Sequence, residues 1–318
     1  KWRAGMTQAT SIRQSTPAER PSPGLYWQSI LRERTAYLLI LPILLVYGLF
    51  SLVPIVQTFQ LSFFDAKIIE QGPYVGLENY ADIFAAPAFR QAMLNTFIFT
   101  GASTIAVLVI SLGLATLVTR PWVRFKTLFK VIYFLPVVTS LVAVGYIWKY
   151  MMDSSFGIIN VALDLVGISP GPYWLSSPRL ALWSLIIVNT WKWIGYFLII
   201  FVANLQAIDP TYYEVAAIDG AGSWQQFFKI TLPLLRNAIV LTIILGIVNY
   251  LKAFALIFVM TQGGPAGTTE VMATYVYQQA FGTGQLRFGF SAAASMVLFV
   301  LIMIFTALSN RFGGESYA

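Results

Sequence analysis

Polar and apolar positions alternate along this chain on a long period. Six stretches have the roughly 20 or more apolar residues that a helix needs to cross a lipid hydrocarbon core, and polar connections separate them. They lie near Ala36–Phe63, Asn95–Val118, Leu128–Met151, Leu180–Phe201, Ala238–Met260 and Ser291–Ser309. The pattern predicts an all-α integral membrane protein of about six transmembrane helices. The first stretch holds Pro42 and Pro54, which predicts a tilt or a kink there. Residues 1–34 are polar, with Pro17, Pro21 and Pro23, and read as a tail that is disordered or loosely surface-bound. The apolar run after them is too long for a cleaved leader and no A-x-A site follows it. The transmembrane region is then 35–312, with a short polar tail at 313–318. No internal repeat marks an inverted-repeat architecture.

One connection is unlike the rest. Between the fourth and fifth stretches, about 207–235, runs "YEVAAIDGAGSWQQFFKITLP", Tyr213 to Pro233. Asp209-Pro210 pairs an N-cap residue with proline at the first helical position. A short helix Pro210–Asp219 follows, and Gly220 suits its left-handed C-cap. Ser223-Trp-Gln-Gln226 has the spacing of a capping box for a second short helix. That helix is expected to run to about Thr231, with Pro233 ending it. Tyr212, Tyr213, Trp224, Phe227 and Phe228 would give these two rods an apolar surface. The segment reads either as an interfacial hairpin steadying two spans or as a knob that projects toward another protein.

Composition agrees with lipid: 58% of residues are hydrophobic and 10% charged, where a soluble domain carries about 25% charged residues. Mean hydropathy is +0.72. The absence of cysteine and histidine removes disulfides, His-based acid–base chemistry and the usual zinc ligands. The net charge of +7 matters here by its distribution, and no nucleic-acid partner is expected. Lys1, Arg3, Arg13, Arg20, Arg32, Arg34, Arg120, Arg124, Lys126, Lys130, Lys229, Arg236 and Arg311 fall on one side of the membrane. Lys67, Arg90, Lys149, Arg179 and Arg287 fall on the other. The positive excess marks the cytoplasm, so both termini and the 207–235 loop are expected inside.

Lys192 and Lys252 lie within predicted spans. A lysine there costs about 2.5–3.5 kcal/mol on insertion scales, so it usually faces protein or water. Asn189, Lys192, Trp193 and Tyr196 share one helical face, as do Gly246, Asn249, Tyr250 and Ala253 on the next span. Amides, an ammonium and aromatic rings suit a sugar's hydroxyls and C–H faces. The same groups also serve as helix–helix glue. Lys252 lies about 100° off its face and reads as snorkelling or pairing with a neighbouring subunit. Trp148, Tyr150 and Trp183 read as interfacial anchors.

Glu214-Val-Ala216, then Gly220, then Ile230-x-Leu232-Pro233, resembles the E-A-A-x3-G-x9-I-x-L-P loop of ABC importer permeases, with Val215 standing where alanine is usual. "GPYVGLENY" (Gly72–Tyr80), "FLP" (Phe134–Pro136), "LQAIDPTYYEVAAIDGA" and "MTQGGPAGTTE" (Met260–Glu270) resemble the carbohydrate-uptake branch, in the same order. The resemblance covers roughly Ala36 to Arg311. It implies a coupling loop whose Glu214, Ala216, Ala217, Asp219, Gly220, Ile230, Leu232 and Pro233 dock on an ATPase. It also implies a pathway lined by the two spans bearing Asn189, Lys192, Trp193, Tyr196, Gly246, Asn249 and Tyr250. The implied partners are a second homologous permease, two ATPase subunits or domains that use ATP-Mg, an extracytoplasmic binding protein, a carbohydrate and membrane lipid. The implied place is a bacterial inner membrane. No G-x-x-x-x-G-K-[ST] loop occurs, so the chain is expected to bind no cofactor or metal and to have no catalytic residues of its own. An anionic cargo, such as a glycerol phosphate or an acidic oligosaccharide, is the alternative that Lys192 raises. A secondary transporter would need intramembrane carboxylates, which are lacking, and a channel would leave the capped loop unexplained.

Overall fold

The computed structural model describes residues 34–67, 72–282 and 286–313. The expected tails fall outside these residues, Arg34 and Gly313 excepted. Among the described residues the regular elements are helical, with one isolated bridge between Phe64 and Tyr74. By compactness the chain divides between Val56 and Gln57, inside the first span.

The first span comprises α1 (Arg34–Tyr47), a π turn (Gly48–Leu52) and α2 (Val53–Leu61). Proline lacks the N–H of the helical ladder and its ring crowds the turn before it. The widened turn just ahead of Pro54 makes room for that ring, and the helix continues. Beyond Leu61 the "GLENY" stretch clamps the end of the helix. The Asn79 amide nitrogen donates to the Ser62 carbonyl at 2.9 Å and the Phe64 carbonyl at 3.1 Å. The Tyr80 hydroxyl pairs with the Ser62 hydroxyl at 2.7 Å. These contacts supply donors that carbonyls at a helix end lack.

After α3 (Glu78–Ala85), α4 (Pro87–Thr119) runs for 33 residues. It starts eight residues before the predicted Asn95 because Pro87 occupies the first turn, where a missing N–H costs nothing. The third span departs most from expectation. It is two helices, α5 (Lys126–Val138) and α6 (Leu141–Met151), bent by 100° at Thr139 and Ser140. Next come α7 (Ile158–Leu165) and α8 (Ala181–Gln206), the latter matching the fourth predicted span. The loop holds α9 (Thr211–Ile218) and a second helix, α10 (Ser223–Leu234), bent by 66° from α11 (Arg236–Leu251). The predicted fifth span therefore ends early, and Ala255–Met260 is a separate helix, α12. The chain closes with α13 (Met272–Tyr277) and α14 (Phe288–Gly313).

The main core lies where α4, α8 and α11 meet, around Phe99, Leu185, Leu198, Phe201 and Tyr250. The two short helices α6 and α12 pack on each other, and a Cβ at Gly145 would sit 2.9 Å from the Val259 side chain. Gly195 decides how close α8 comes to α5, because a Cβ there would collide with the Tyr133 carbonyl. A side chain forced into such a contact costs about 1–3 kcal/mol. Gly195→Ala should lower the thermal unfolding midpoint in detergent by several degrees. Gly101→Ala, whose Cβ would meet nothing within 4 Å, should leave it in place.

Candidate functional site

The loop between α8 and α11 is built from local signals. The Asp209 carboxylate accepts the Thr211 N–H at 2.9 Å from just ahead of Pro210, the N-cap residue, whose backbone is already helical. Backbone and side-chain donors of Thr211 hold the exposed Asp209 carboxyl below the usual carboxylate range. At the other end of α9, Ala221 N–H bonds Ala216 O at 2.8 Å and Gly220 N–H bonds Ala217 O at 3.1 Å. With Gly220 at φ +79° this is a Schellman closure. The Gly220 stop matches expectation, while the helix runs Thr211–Ile218, one residue shorter at each end than the predicted Pro210–Asp219.

Two details of α10 differ from expectation. The cap is Gly222 rather than Ser223, since its N–H donates to the Gln225 side-chain oxygen at 3.1 Å. Pro233 does not end the helix. A π turn at Phe227–Thr231 accommodates it, and the chain turns at the buried Leu235.

The loop has two faces. Tyr213 turns inward, its hydroxyl paired with that of buried Thr231 at 2.9 Å, and so ties the two rods together. Phe227 and Leu232 pack against the core, and Ile230 is half-buried. Glu214, Ala217, Asp219, Gly220 and Pro233 are exposed, and Ala216 is half-buried. The exposed apolar groups are Tyr212, Val215, Ile218, Trp224 and Phe228, with Trp224 stacked on Phe228 at 6.0 Å. Tyr213 and Phe227 thus leave the expected surface, and Val215 and Ile218 join it. The helical period of α9 places Ile218 one turn after Glu214, a signal available in the sequence. Behind the loop a cavity of about 460 Å³ is lined in part by Thr116, Thr119, Arg120, Tyr213 and Gln226.

The seven residues expected on the pathway do not share one accessible surface. Tyr196 and Asn249 are exposed and Trp193 is half-buried. Asn189, Lys192, Gly246 and Tyr250 are buried. A Cβ at Gly246 would lie 2.9 Å from the Thr104 hydroxyl, so α11 and α4 touch there. Lys252 ends α11 and is exposed, as are Tyr150 and Trp183, whereas Trp148 packs edge-on against Trp191 at 5.3 Å.

Lys192 is the unexpected case. Its Nζ donates to Pro136 O at 2.9 Å, Thr139 O at 2.8 Å and Val137 O at 3.4 Å. An ammonium has three N–H donors, and all are used by the carbonyls at the end of α5. Carbonyls at a helix C-terminus lack the full set of intrahelical donors, Pro136 O taking only the Thr139 N–H at 3.3 Å besides, and a cation there also meets the negative end of the helix dipole. The Trp193 ring lies beside the ammonium, 5.4 Å from it. Lys192 therefore holds the break in the third span and has no donor left for a cargo.

Residues 83–313 match the family model described as binding-protein-dependent transport system inner membrane component. The chain is 31% identical to the trehalose/maltose transport system permease protein MalF of Thermococcus litoralis over 281 residues, 88% of this chain and 94% of that protein. It is 33% identical to the lactose transport system permease protein LacF of Rhizobium radiobacter over 275 residues, 86% and 91% of the two chains. Among solved structures it resembles a chain of a bacterial alginate ABC transporter in complex with alginate pentasaccharide-bound periplasmic protein. The TM-score is 0.77 at 25% identity, over 90% of this chain and 96% of that one.

Lys192→Met removes the donor from three carbonyls, and a buried polar group left unmade costs about 1–3 kcal/mol. The unfolding midpoint in lipid nanodiscs should fall by several degrees. Lys252→Met, at an exposed lysine, should not move it. Equal midpoints for the two variants would remove Lys192 from its role at the break.

Proposed function

The chain belongs to the family of binding-protein-dependent transport system inner membrane components, and on that premise we propose that it is one of two permeases in an ATP-driven carbohydrate importer. It forms half of the pathway, and ATPase subunits that use ATP-Mg dock on its loop. A binding protein delivers the cargo from the other side. Carbohydrate is supported by relatives named for trehalose, maltose and lactose. A binding-protein partner is supported by the likeness to a transporter captured with its periplasmic protein.

The observation that carries the reading is the exposed face of the loop. Val215, Ile218, Trp224 and Phe228 stand out from two capped helices beside Glu214. An apolar patch with an acid at its edge, on a body that its own caps make stiff, suits insertion into a cleft of another protein. Glu214 would meet a basic group of the ATPase, and Ala216, Ala217, Asp219 and Gly220 would set the angle. Ile230, Leu232 and Pro233 would join the loop to α11. On the pathway, Trp193, Tyr196 and Asn249 would face the cargo and the second permease, with Asn189, Gly246 and Tyr250 packed behind them. Backbone carbonyls use the donors of Lys192 but do not cancel its charge, so an anionic cargo is the second reading, supported by the likeness to a transporter captured with an alginate-bound periplasmic protein.

Gly220 tests the coupling. A Cβ there would meet nothing within 4 Å, so a substitution acts through φ +79° alone. Gly220→Val should abolish the rise in ATPase activity that loaded binding protein causes in the assembled importer. Gly220→Asn, which tolerates the left-handed region, should keep most of it. Wild-type stimulation in the valine variant would remove the loop from coupling.

Orientation has its own test. The chain has no cysteine, so Ser155→Cys and Gly222→Cys, both at exposed positions, report one site each. An impermeant maleimide added outside intact cells should label the first and not the second. The reverse would put the loop, and the ATPases with it, on the wrong side.

A further inference from the structure

Six buried side-chain atoms on three neighbouring spans have no hydrogen-bond partner among the described residues. They are the hydroxyls of Thr100, Ser103 and Thr104 on α4, the Asn189 amide nitrogen and Thr190 hydroxyl on α8, and the Tyr250 hydroxyl on α11. None of these residues is more than 5% exposed. Elsewhere on α4, Thr96, Ser111, Thr116 and Thr119 donate to the carbonyl one turn back. The three hydroxyls between them make no such bond.

Contacts tie Thr104, Tyr250 and Asn189 together across the helices. Thr104 abuts Gly246. One turn further along α11, the Tyr250 ring meets Phe99 edge-on at 6.5 Å. Its hydroxyl faces Asn189 in a geometry short of a hydrogen bond. A buried polar group left dry costs at least as much as a lost hydrogen bond. Folded proteins meet such groups with ordered water held by two to four polar partners.

We infer that Thr104, Asn189 and Tyr250 hold a binding site for ordered water that bridges α4, α8 and α11. The occupant must accept from the Asn189 nitrogen and exchange bonds with hydroxyls that both donate and accept, which water does. A cation does not fit, because the amide nitrogen only donates and the Lys192 ammonium lies one turn along α8. The site stands where movement would be felt, since α8 leads into the loop and α11 leads out of it. Water bridges can be remade as helices shift, whereas direct bonds hold one register.

Radiolytic footprinting of the full chain in nanodiscs, in water enriched in ¹⁸O, marks side chains that lie beside bound water. Phe99 and Phe201 are both fully buried, one against Tyr250 and one in apolar packing. Phe99 and Tyr250 should take up label and Phe201 should not. No label at Phe99 and Tyr250, or equal label at the two phenylalanines, would overturn the site. Thr104→Val, nearly the same shape, should lower the unfolding midpoint by a few degrees, because a bridging water loses a partner. A raised or unchanged midpoint is the result of a dry site and would overturn it as well. Replacing chloride by gluconate should change neither readout; loss of stability without chloride would assign the groups to an anion instead.

Discussion

A helix that breaks inside lipid leaves carbonyls that bulk water does not reach, and the rest of this structure depends on how one such break is met. Lys192 reaches from α8 into the end of α5 and gives each of its donors to the backbone. The neighbouring Gly195 lets the two helices come close enough for that reach. Irregular backbone at membrane depth is tolerated where protein buries it, and α8 provides the cover. Once α5 stops at Val138, α6 can leave at 100° and pack on α12. The positions of both short helices follow from the ammonium in the break.

The loop between α8 and α11 achieves rigidity differently, with hydrogen bonds of its own in addition to the packing of Phe227 and Leu232 on the core. Each rod ends in its own hydrogen bonds: Asp209 at the start of α9, the closure around Gly220, and Gln225 reaching back to Gly222. The Tyr213–Thr231 pair then joins the rods to each other. Large apolar side chains can stand exposed on such a body without folding back.

Much of this was legible in the sequence, and the losses have a common cause. Long apolar runs bounded by polar residues located the first, second, fourth and sixth spans, because length and hydropathy are local properties. The Asp209-Pro210 start and the Gly220 stop were legible for the same reason. The break at Thr139–Ser140 was not, since Leu128–Met151 is long and apolar enough to read as one span and the donor that permits the break lies over fifty residues away. Helical period grouped Asn189, Lys192, Trp193 and Tyr196 on one face. Period does not say what a face meets, and here the face divides between packing and an accessible edge. The shift of the cap from Ser223 to Gly222 arises because "GSWQQ" offers two overlapping cap-and-glutamine pairs, and the backbone of glycine took the first.

The length of α4 carries a consequence of its own. At about 1.5 Å per residue, 33 residues extend about 50 Å, well beyond the roughly 30 Å of hydrocarbon. Near one end, Asn95 donates to the carbonyls of Gly267 and Glu270, in the loop that follows α12. At the other end, Thr116 and Thr119 line the cavity behind the α9–α10 loop. One unbroken rod therefore joins the loop after α12 to the cavity behind the α9–α10 loop. Any free energy that it carries from one mouth to the other is reciprocal by thermodynamic linkage: whatever tightens the arrangement at the first must be favoured, to the same degree, by what is bound at the second.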